Sequence, residues 1–515
     1  MSLPLEQYPV PSDYDELAKA YKDLAKLHER SQKQHAHELQ FYKDKLKLLA
    51  AKIFGAKADG VVVSLFDEAE LSAEVEDAED DGDHESGTKG SGKPRKKKRK
   101  TIPDHLPRNR IEHDLDENQK ICAADGTKLV KIGEEIREEV DYIPAKIIVN
   151  QHVYLKYSCP CCASGVHTAT TIKRAIPGSV ASPALIAQVA TQKYLDHLPI
   201  HRQAQIFERS GLLITRATLC AWMIKLGELL LPITNIMFDD LLAAKALQCD
   251  ETPLRVLKLD GVATSKKSYI WSVARWGPGY KIIYYEFDRT RSGKVPCRLF
   301  PEYVGSLQVD GYKGYDRLFV SYPKIKRIGC MAHVRRRFTD LLKTLKKDAR
   351  SSHPSNKIIK AIGRLYDIEE RLRGQDPTLR SEVRISDATA IFDSLQETVT
   401  TESLAVAPAS LYGEALAYAA KELVNIRRYL GDGHAEIDNN LIENAIRPFC
   451  LGRRNWLFAD TESGAQASAT IYTVLQTAKA NGHEPARYLA QLIEHLPYCN
   501  SLADFEALLP YTRVN

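Results

Sequence analysis

The stretch Leu247-Gln-Cys-Asp-Glu-Thr252 decides the fold that we expect for this chain. A short apolar, strand-like run ends there at the carboxylate of Asp250, and Leu307-Gln-Val-Asp-Gly-Tyr312 ends in the same way at Asp310. A third acidic residue, Glu443, lies on a predicted late helix. Two carboxylates at strand ends and one on a helix suit a site for two divalent cations, which enzymes that cut and join phosphodiesters need.

Strand-like runs surround the two aspartates in the order of a ribonuclease-H-like α/β core. A short helix is predicted around residues 295–303, before the fourth run. Three strands in succession, followed by helix, strand, helix and strand, bring the first and fourth strands side by side. Asp250 and Asp310 would then be neighbours. Because 133 residues separate Asp310 from Glu443 (443 − 310), we expect a helical insertion at about 340–432. The five runs lie at 246–249, 268–276, 281–287, 306–309 and 325–329.

Asp250, Asp310 and Glu443 are the predicted catalytic residues and the predicted ligands of Mg²⁺ or Mn²⁺, since Mg²⁺ favours oxygen ligands and keeps open positions for phosphate. The structural alternative for one aspartate at a strand end is capping of the following turn. Glu436 is the competing choice for the third carboxylate. Glu251 ranks below Asp250 because it faces the other way if the strand continues.

The segment Cys330-Met-Ala-His333 follows the fifth strand. We expect His333 near the scissile phosphate or orienting a carboxylate, and the alternative is a buried thiol beside a helix-start histidine. Arginines on the next helix and on the helix of Glu443 favour phosphate contacts. Trp456 is explained equally well as a core residue. The predicted DNA-contact residues of this region are Arg335, Arg336, Arg447, Arg453, Arg454 and Trp456.

Residues 176–243 are predicted to be a helical DNA-binding region. Leu198 to Gly211, followed by a second helix with Thr215 as N-cap, has the pattern of a helix-turn-helix. Arg216 and Thr218 would face outward at the start of the second helix, where such motifs read the major groove. Two packed helices joined by glycine also occur without DNA binding.

Residues 103–175 are predicted to form a small zinc-finger-like β module, with its best alternating strand at 146–158. Its cysteines lie in two short metal-binding motifs, or knuckles. The first, at Cys122, is incomplete, and the second, Cys159-Pro-Cys-Cys162, is complete. Because an aspartate replaces the second cysteine of the first knuckle, both a structural Zn²⁺ site and a metal-free module are left open. The candidate ligands are Cys122, Asp125, Cys159 and Cys162.

The N-terminal part consists of a predicted coiled-coil helix (1–57) and a predicted disordered linker (58–102). A lone amphipathic helix is the alternative to the coiled coil. The linker carries an acidic block followed by a basic one that includes Lys96, Lys97 and Lys98. The basic block is either a solvated tether or a site of phosphate contact.

The composition is that of an ordinary globular protein, with 44% hydrophobic and 27% charged residues and a net charge of +5 in 515 residues. We expect a soluble, cytoplasmic protein with no membrane span and no signal peptide. Ten cysteines in such a chain are better explained as thiols or metal ligands than as disulfides. The two remaining predicted domains are the ribonuclease-H-like catalytic core at 244–480 and a helical tail at 481–515.

Several motifs together resemble the insertion sequence 66 transposases, in particular their TnpC-type subunit. Upstream, Gly133-Glu-Glu, Asp141-Tyr-Ile-Pro144 and Tyr157-Ser-Cys-Pro-Cys-Cys162 are similar to the zinc-finger-like module of that family. The core motifs are Cys-Asp-Glu-Thr-Pro at Asp250, Val-Asp-Gly-Tyr at Asp310, Cys330-Met-Ala-His333, and Ile437-Asp-Asn-Asn with Glu443 and Leu-Gly-Arg-Arg-Asn-Trp456.

The resemblance implies a bacterial DDE transposase that binds the terminal inverted repeats of its element. It implies Mg²⁺-dependent cleavage of the ends, after which the freed 3′-hydroxyl attacks target DNA. It assigns Asp250, Asp310 and Glu443 as the catalytic triad and His333 as an auxiliary group. It also implies double-stranded DNA and accessory element-encoded proteins as partners, and a nucleoid-associated protein when bound to DNA. The coiled coil predicts a homo-oligomer.

Three other functions compete with this one. A DNA-binding regulator with an inactive ribonuclease-H-like core would need only the N-terminal modules, but the presence of all three carboxylates argues against it. A nuclease that hydrolyses and never joins would hardly need a coiled coil and two DNA-reading modules. A nuclear eukaryotic protein rests on the basic block alone.

Overall fold

The computed structural model describes residues 146–158, 166–261, 266–277 and 279–512, together with positions 43, 108, 110, 111, 134 and 139. The chain divides into two compact units, residues 80–153 and the remainder. In the smaller unit Arg110 and Glu134 form an exposed ion pair, with Nη2 and Oε2 2.8 Å apart. The following paragraphs concern the larger unit.

The larger unit combines sheets and helices. Its strands are β1 (Lys156–Ser158), β2 (Val166–Thr168), β3 (Ala246–Leu254), β4 (Val256–Lys258), β5 (Ser268–Arg275), β6 (Ile282–Asp288), β7 (Ser306–Gln308), β8 (Lys326–Ile328) and β9 (Ala459–Thr461). Its helices are α1 (Pro183–Tyr194), α2 (Ile200–Arg209), α3 (Arg216–Leu242), α4 (Lys294–Leu299), α5 (Asp316–Ser321), α6 (Met331–Thr344), α7 (Lys347–Ser352), α8 (Ser355–Arg371), α9 (Pro377–Val383), α10 (Thr389–Ala405), α11 (Leu411–Ile426), α12 (Asn440–Trp456), α13 (Glu462–Ala480), α14 (Pro485–His495) and α15 (Leu502–Glu506). Single 3₁₀ or π turns occupy Lys313–Tyr315, Arg384–Ala388, Arg427–Gly431 and Leu496–Tyr498.

The central sheet has five strands in the order β6-β5-β3-β7-β8. The first three strands along the chain, β3, β5 and β6, are antiparallel neighbours, whereas β7 and β8 extend the sheet on the other side of β3 in parallel orientation. The five predicted strands therefore occur, in the predicted order. Strands β3 and β5 are buried along most of their length, as expected for the centre of a sheet that is covered on both faces.

One sequence expectation about this sheet is wrong. Asp250 does not lie at the end of the first strand, because β3 continues to Leu254. The strand continues because β5 pairs with it from Gln248 to Leu254, whereas β7 pairs only from Ala246 to Gln248. Asp250 thus lies two residues beyond the end of the parallel pairing.

Helix α13 covers the edge of the sheet that is formed by strand β6. Thr473 and Thr477 accept hydrogen bonds from the backbone nitrogens of Tyr285 (2.9 Å) and Ile283 (3.1 Å) in the edge strand β6. Asn481, four positions further along and at the C-cap of the helix, accepts from the nitrogen of Lys281 at 3.0 Å. Side chains spaced by four on a helix thus satisfy alternate residues of a strand, which removes an edge that could otherwise pair with another chain.

Helices α2 and α3 form the predicted helix, glycine turn and helix. Gly211 has a φ of +84°, a left-handed conformation that glycine adopts without strain, and it follows the end of α2. Thr215 caps α3 as predicted, since its hydroxyl accepts a hydrogen bond from the nitrogen of Thr218 at 3.2 Å.

The predicted helical insertion between β8 and α12 has its own hydrophobic core, formed mainly by α6, α8, α10 and α11. Arg384 is fully buried within it and donates to both carboxylate oxygens of Glu369, at 2.8 and 2.6 Å. The same guanidinium donates to the carbonyls of Tyr429 and Asp432. The insertion is thus a folded unit, and it ends directly before the helix of Glu443.

One further expectation needs correction. The strand predicted over 146–158 is confined to Lys156–Ser158, and the apolar residues Ile148 and Val149 before it are exposed, with no partner strand in the part of the chain that the structure describes. Helix α3 is long and apolar enough to cross a membrane by length and composition, which is weak evidence for a span when one helix passes this test. Its buried residues, among them Leu226 and Leu230, belong to the main hydrophobic core, and core helices pass the same test.

Other predictions lie outside the described residues. These are the coiled-coil seam of residues 1–57, the linker with Lys96, Lys97 and Lys98, and the candidate zinc ligands Cys122, Asp125, Cys159 and Cys162.

Candidate active site

The register of two parallel strands brings the two predicted aspartates to corresponding positions. Gln248 in β3 lies opposite Gln308 in β7, and Asp250 and Asp310 each follow two residues later. Residues two apart on a strand share a face of the sheet. Asp310 lies just beyond β7, and its Oδ1 accepts a hydrogen bond from the nitrogen of Tyr312 at 2.9 Å.

The third carboxylate comes from the first turn of α12. Glu443 is buried, with its side chain 7% exposed. Its Oε1 lies 3.7 Å from His333 Nδ1, and its Oε2 lies 3.9 Å from an Arg336 guanidinium nitrogen. Glu436, the competing choice, pairs with Arg380 of the insertion at 2.8 Å.

The two glutamines attach the start of α12 to the sheet. Gln248 donates to the carbonyl of Asp438 and accepts from the nitrogen of Ile442, both at 3.0 Å. Gln308 donates to the carbonyl of Glu436 at 2.9 Å. Because these bonds hold the backbone on both sides of the helix start, they bring Glu443 to the face of the sheet that carries Asp250.

The carboxyl group of Asp250 lies in an environment that disfavours its negative charge. Burial raises the pKa of Asp250 well above its usual range, and the negative charges of Glu251, Asp310 and Glu443 raise it further. A hydrogen bond from the nitrogen of Glu251 to Asp250 Oδ1, at 2.8 Å, acts in the opposite direction. Like charges in a buried site are relieved by a cation, and oxygen donors are what Mg²⁺ and Mn²⁺ take. The residues present therefore fit a divalent cation.

Glu251 belongs to the site in a way that the sequence did not indicate. Its carboxylate accepts from Arg291 Nε at 2.6 Å and from the Tyr315 hydroxyl at 2.5 Å. Burial and the charge of Asp310 raise the pKa of Glu251 to about 7, although both partners oppose the shift. Arg291 in turn lies over the ring of Tyr312, 3.9 Å from its centroid.

Sequence reasoning missed the two glutamines, Arg291 and Tyr315. The signal that could have found the glutamines is their position, since each directly follows a leucine and precedes a predicted metal-binding aspartate by two residues. Nothing local marks Arg291 or Tyr315.

The predicted DNA-contact residues of the described segments differ in their exposure. Arg216, Thr218 and Arg335 are exposed, and Arg336 is half-buried beside Glu443. Arg453, in contrast, turns inward and donates to the hydroxyl of Thr252 and to the carbonyl of Pro253 in β3. The remaining predicted contacts, Arg447, Arg454 and Trp456, are half-buried on α12. The Trp456 ring packs against Phe449, with centroids 5.3 Å apart.

Comparison with known proteins decides the family. Residues 178–467 match the profile described as "Transposase IS66 family". The chain belongs to the IS66 transposase family. An IS66 transposase is a DNA-modifying enzyme, and its partner is DNA. Three further profiles match this family member: "Transposase C of IS166 homeodomain" at 42–111, "zinc-finger binding domain of transposase IS66" at 119–163, and "IS66 C-terminal element" at 473–511.

Curated relatives of this IS66 transposase come from Sinorhizobium fredii (strain NBRC 101917 / NGR234). The uncharacterized protein y4qI is 32% identical over 482 residues, which cover 90% of this chain and 87% of that protein. The uncharacterized protein y4jD is 27% identical over 531 residues, which cover 99% of this chain and 98% of that protein. The zinc-finger profile spans all four candidate zinc ligands and fits the presence of Zn²⁺.

Proposed function

We propose that this chain cleaves the 3′ ends of its insertion element and joins them to target DNA in a divalent-metal-dependent reaction. Asp250, Asp310 and Glu443 would hold Mg²⁺ or Mn²⁺. The observation that carries the proposal is the paired register of Gln248 and Gln308, each two residues before its aspartate, together with the hydrogen bonds by which these glutamines hold the start of the helix of Glu443.

The order and direction of the strands support a ribonuclease-H-like core. Strand β3 is central, antiparallel to β5 on one side and parallel to β7 on the other. In this arrangement the first aspartate lies on the central strand and the second follows the neighbouring parallel strand. The helix after the insertion then supplies the glutamate.

In this mechanism the metal, when bound, supplies Lewis-acid stabilisation of the attacking and leaving oxygens of a phosphodiester. The protein's own residues bind and orient. The three carboxylates would hold the cation, which would bind the scissile phosphate, and Arg336 beside Glu443 can donate to a phosphate oxygen. His333, 3.7 Å from the Glu443 carboxylate, orients that carboxylate.

The remaining parts of the proposal concern DNA and partners. We propose that α3 presents Arg216 and Thr218 to the terminal inverted repeats, and that residues 1–57 pair two chains so that both element ends are held together. Accessory element-encoded proteins would act with this assembly. The protein would work in the bacterial cytoplasm, on the nucleoid when DNA-bound. Its zinc-finger segment would contain structural Zn²⁺.

A cleavage and strand-transfer assay tests the proposal. The substrates are duplexes from the flanks of the gene, incubated with the full chain in Mg²⁺ or in EDTA. We expect metal-dependent nicking and joining, with Asp310→Asn and Glu443→Gln lowering the rate by at least about 100-fold, as expected for the loss of one essential electrostatic group. DNA binding should persist in both variants.

Matched controls are Asp367→Asn and Glu370→Gln, which alter exposed carboxylates on α8 of the insertion. They should cleave at the wild-type rate. Binding of the repeats without any cutting, in the presence of the accessory proteins, would contradict the catalytic proposal and favour a DNA-binding regulator.

A further inference from the structure

A thiol and an imidazole lie next to the third carboxylate. The ligand atoms of Cys330, His333 and Glu443 all lie within 4.8 Å of one another, and all three residues are buried. Cys330 directly precedes α6, and His333 lies in the first turn of that helix. The hydrogen bond from the nitrogen of Met331 to the carbonyl of Ile437, at 3.1 Å, holds this segment against the approach to α12.

This donor set differs in chemistry from the three carboxylates. One sulfur, one nitrogen and one oxygen are the ligands that Zn²⁺ and Co²⁺ take, with a fourth position open to water. Mg²⁺ takes oxygen ligands and would not be selected by a thiolate. Glu443 is the member that both sets of ligands share.

Asn439 adds a second observation at the same place. Its backbone nitrogen donates to Cys330 Sγ at 3.4 Å, which supports negative charge on the sulfur. Its side chain is fully buried, and neither polar atom of its amide has a hydrogen-bond partner in the described part of the chain. A buried amide without a partner is costly unless a ligand or water satisfies it.

We propose that Cys330, His333 and Glu443 form a site for a thiophilic divalent cation such as Zn²⁺, separate in selectivity from the Mg²⁺ site. Binding of the ion displaces the thiol proton of Cys330 to solvent. Occupancy withdraws Glu443 from Asp250 and Asp310 and so stops cleavage. The binding site stands on its own geometry, whereas the inhibition rests on the proposed function.

Cobalt titration of the full chain tests the site directly. Wild type, Cys330→Ser and Cys450→Ser are compared by bound Co²⁺ per chain and by thiolate-to-cobalt absorption. Cys450 is the matched control, because it is equally buried but lies against the Thr252 hydroxyl at 3.4 Å. The zinc-finger segment is unchanged in every protein, so its contribution cancels.

We expect wild type and Cys450→Ser to bind one Co²⁺ more than Cys330→Ser, with stronger thiolate absorption. Equal stoichiometry and equal absorption in all three proteins would overturn the site. Thermal unfolding without metal checks that each variant is folded. If Cys330→Ser does not fold, His333→Asn takes its place in the same comparison.

Inhibition is tested by adding Zn²⁺ to the Mg²⁺-dependent cleavage assay, with each protein normalised to its own rate without Zn²⁺. Loss of an outer-sphere partner lowers metal affinity about 10- to 100-fold, so loss of a direct ligand should raise the half-inhibitory concentration at least about tenfold. Cys450→Ser should match wild type, and an unchanged concentration in Cys330→Ser would overturn the inhibition. If no protein cleaves at all, the proposed function fails, while the cobalt stoichiometry still decides the metal site.

Discussion

Gln248 donates a hydrogen bond to Gln308 Oε1 across strands β3 and β7, at 2.8 Å, inside the protein core. Each glutamine also bonds to the backbone that leads into α12. The pair therefore connects the strands that carry Asp250 and Asp310 to the helix that carries Glu443. We infer that these glutamines are positioning residues for the three carboxylates.

Gln308→Met should damage both stability and metal use. The change removes the donors to Gly329 and Glu436, and buried carbonyls without partners cost about 1–3 kcal/mol each. We expect the free energy of unfolding to fall by about 2–4 kcal/mol. The Mg²⁺ concentration for half-maximal cleavage should rise as well, because Glu443 loses its fixed position.

Gln203→Met is the control for that prediction. Gln203 is equally buried and also donates to two carbonyls, those of Val189 and Leu198, away from the site. It should lose similar stability without any change in the Mg²⁺ requirement. An equal shift of the Mg²⁺ requirement in both variants would mean that the effect of Gln308 is only structural.

Glu251→Gln should flatten the pH dependence of stability. The native carboxyl keeps its proton up to a pKa of about 7, while the unfolded one releases it near 4.5. The native state therefore binds more protons between these values, and the free energy of unfolding falls as pH rises through them, by up to roughly 3 kcal/mol. Denaturant titrations in EDTA at pH 4.5 and 8 would measure the slope.

The groups that face Glu251 include Asp250, Cys249, Asp310, Arg291 and Tyr315, and they are unchanged in the variant. Glu370→Gln, at an exposed carboxylate, should keep the wild-type slope. A Glu251→Gln slope equal to that of the wild type would show that Glu251 titrates normally.

Thr473→Val and Thr477→Val should each destabilise the sheet edge. Valine keeps the shape but leaves a backbone nitrogen of β6 without its acceptor, which costs about 1–3 kcal/mol. Thr470→Val is the control, because the Thr470 hydroxyl donates within its own helix, to the carbonyl of Gln466. Chemical denaturation would give the free energy of unfolding of the three variants. If Thr470→Val lost as much stability as the other two, the cause would be the loss of any hydroxyl on α13 and not the loss of a bond to β6.

Arg384→Met should destabilise the helical insertion by about 3–5 kcal/mol, since it leaves the carboxylate of Glu369 buried with less compensation. Arg371→Met is the surface counterpart, because Arg371 is 64% exposed and pairs with Asp387. It should change stability by at most about 0.5 kcal/mol. Calorimetry would report both values, and similar losses in the two variants would contradict the role of burial.

Local patterns were enough to predict the elements that carry the site. Alternating and apolar runs located the five strands, and Gly211 and Thr215 located the turn and the cap between α2 and α3. These features depend on neighbours a few residues away. The end of the first strand was misplaced because the pairing of β5 with β3 as far as Leu254 is a contact between distant parts of the chain.

The sequence by itself determined which residues could do the chemistry: two aspartates after apolar runs, and a glutamate among amides and arginines. Only the tertiary structure decided which of them meet. Glu436 pairs with Arg380 whereas Glu443 faces His333, and Arg453 turns inward to β3. The physical reason is chain separation. These contacts join residues 56 to 200 positions apart. They depend on how the insertion and the sheet pack, and no local pattern encodes that packing.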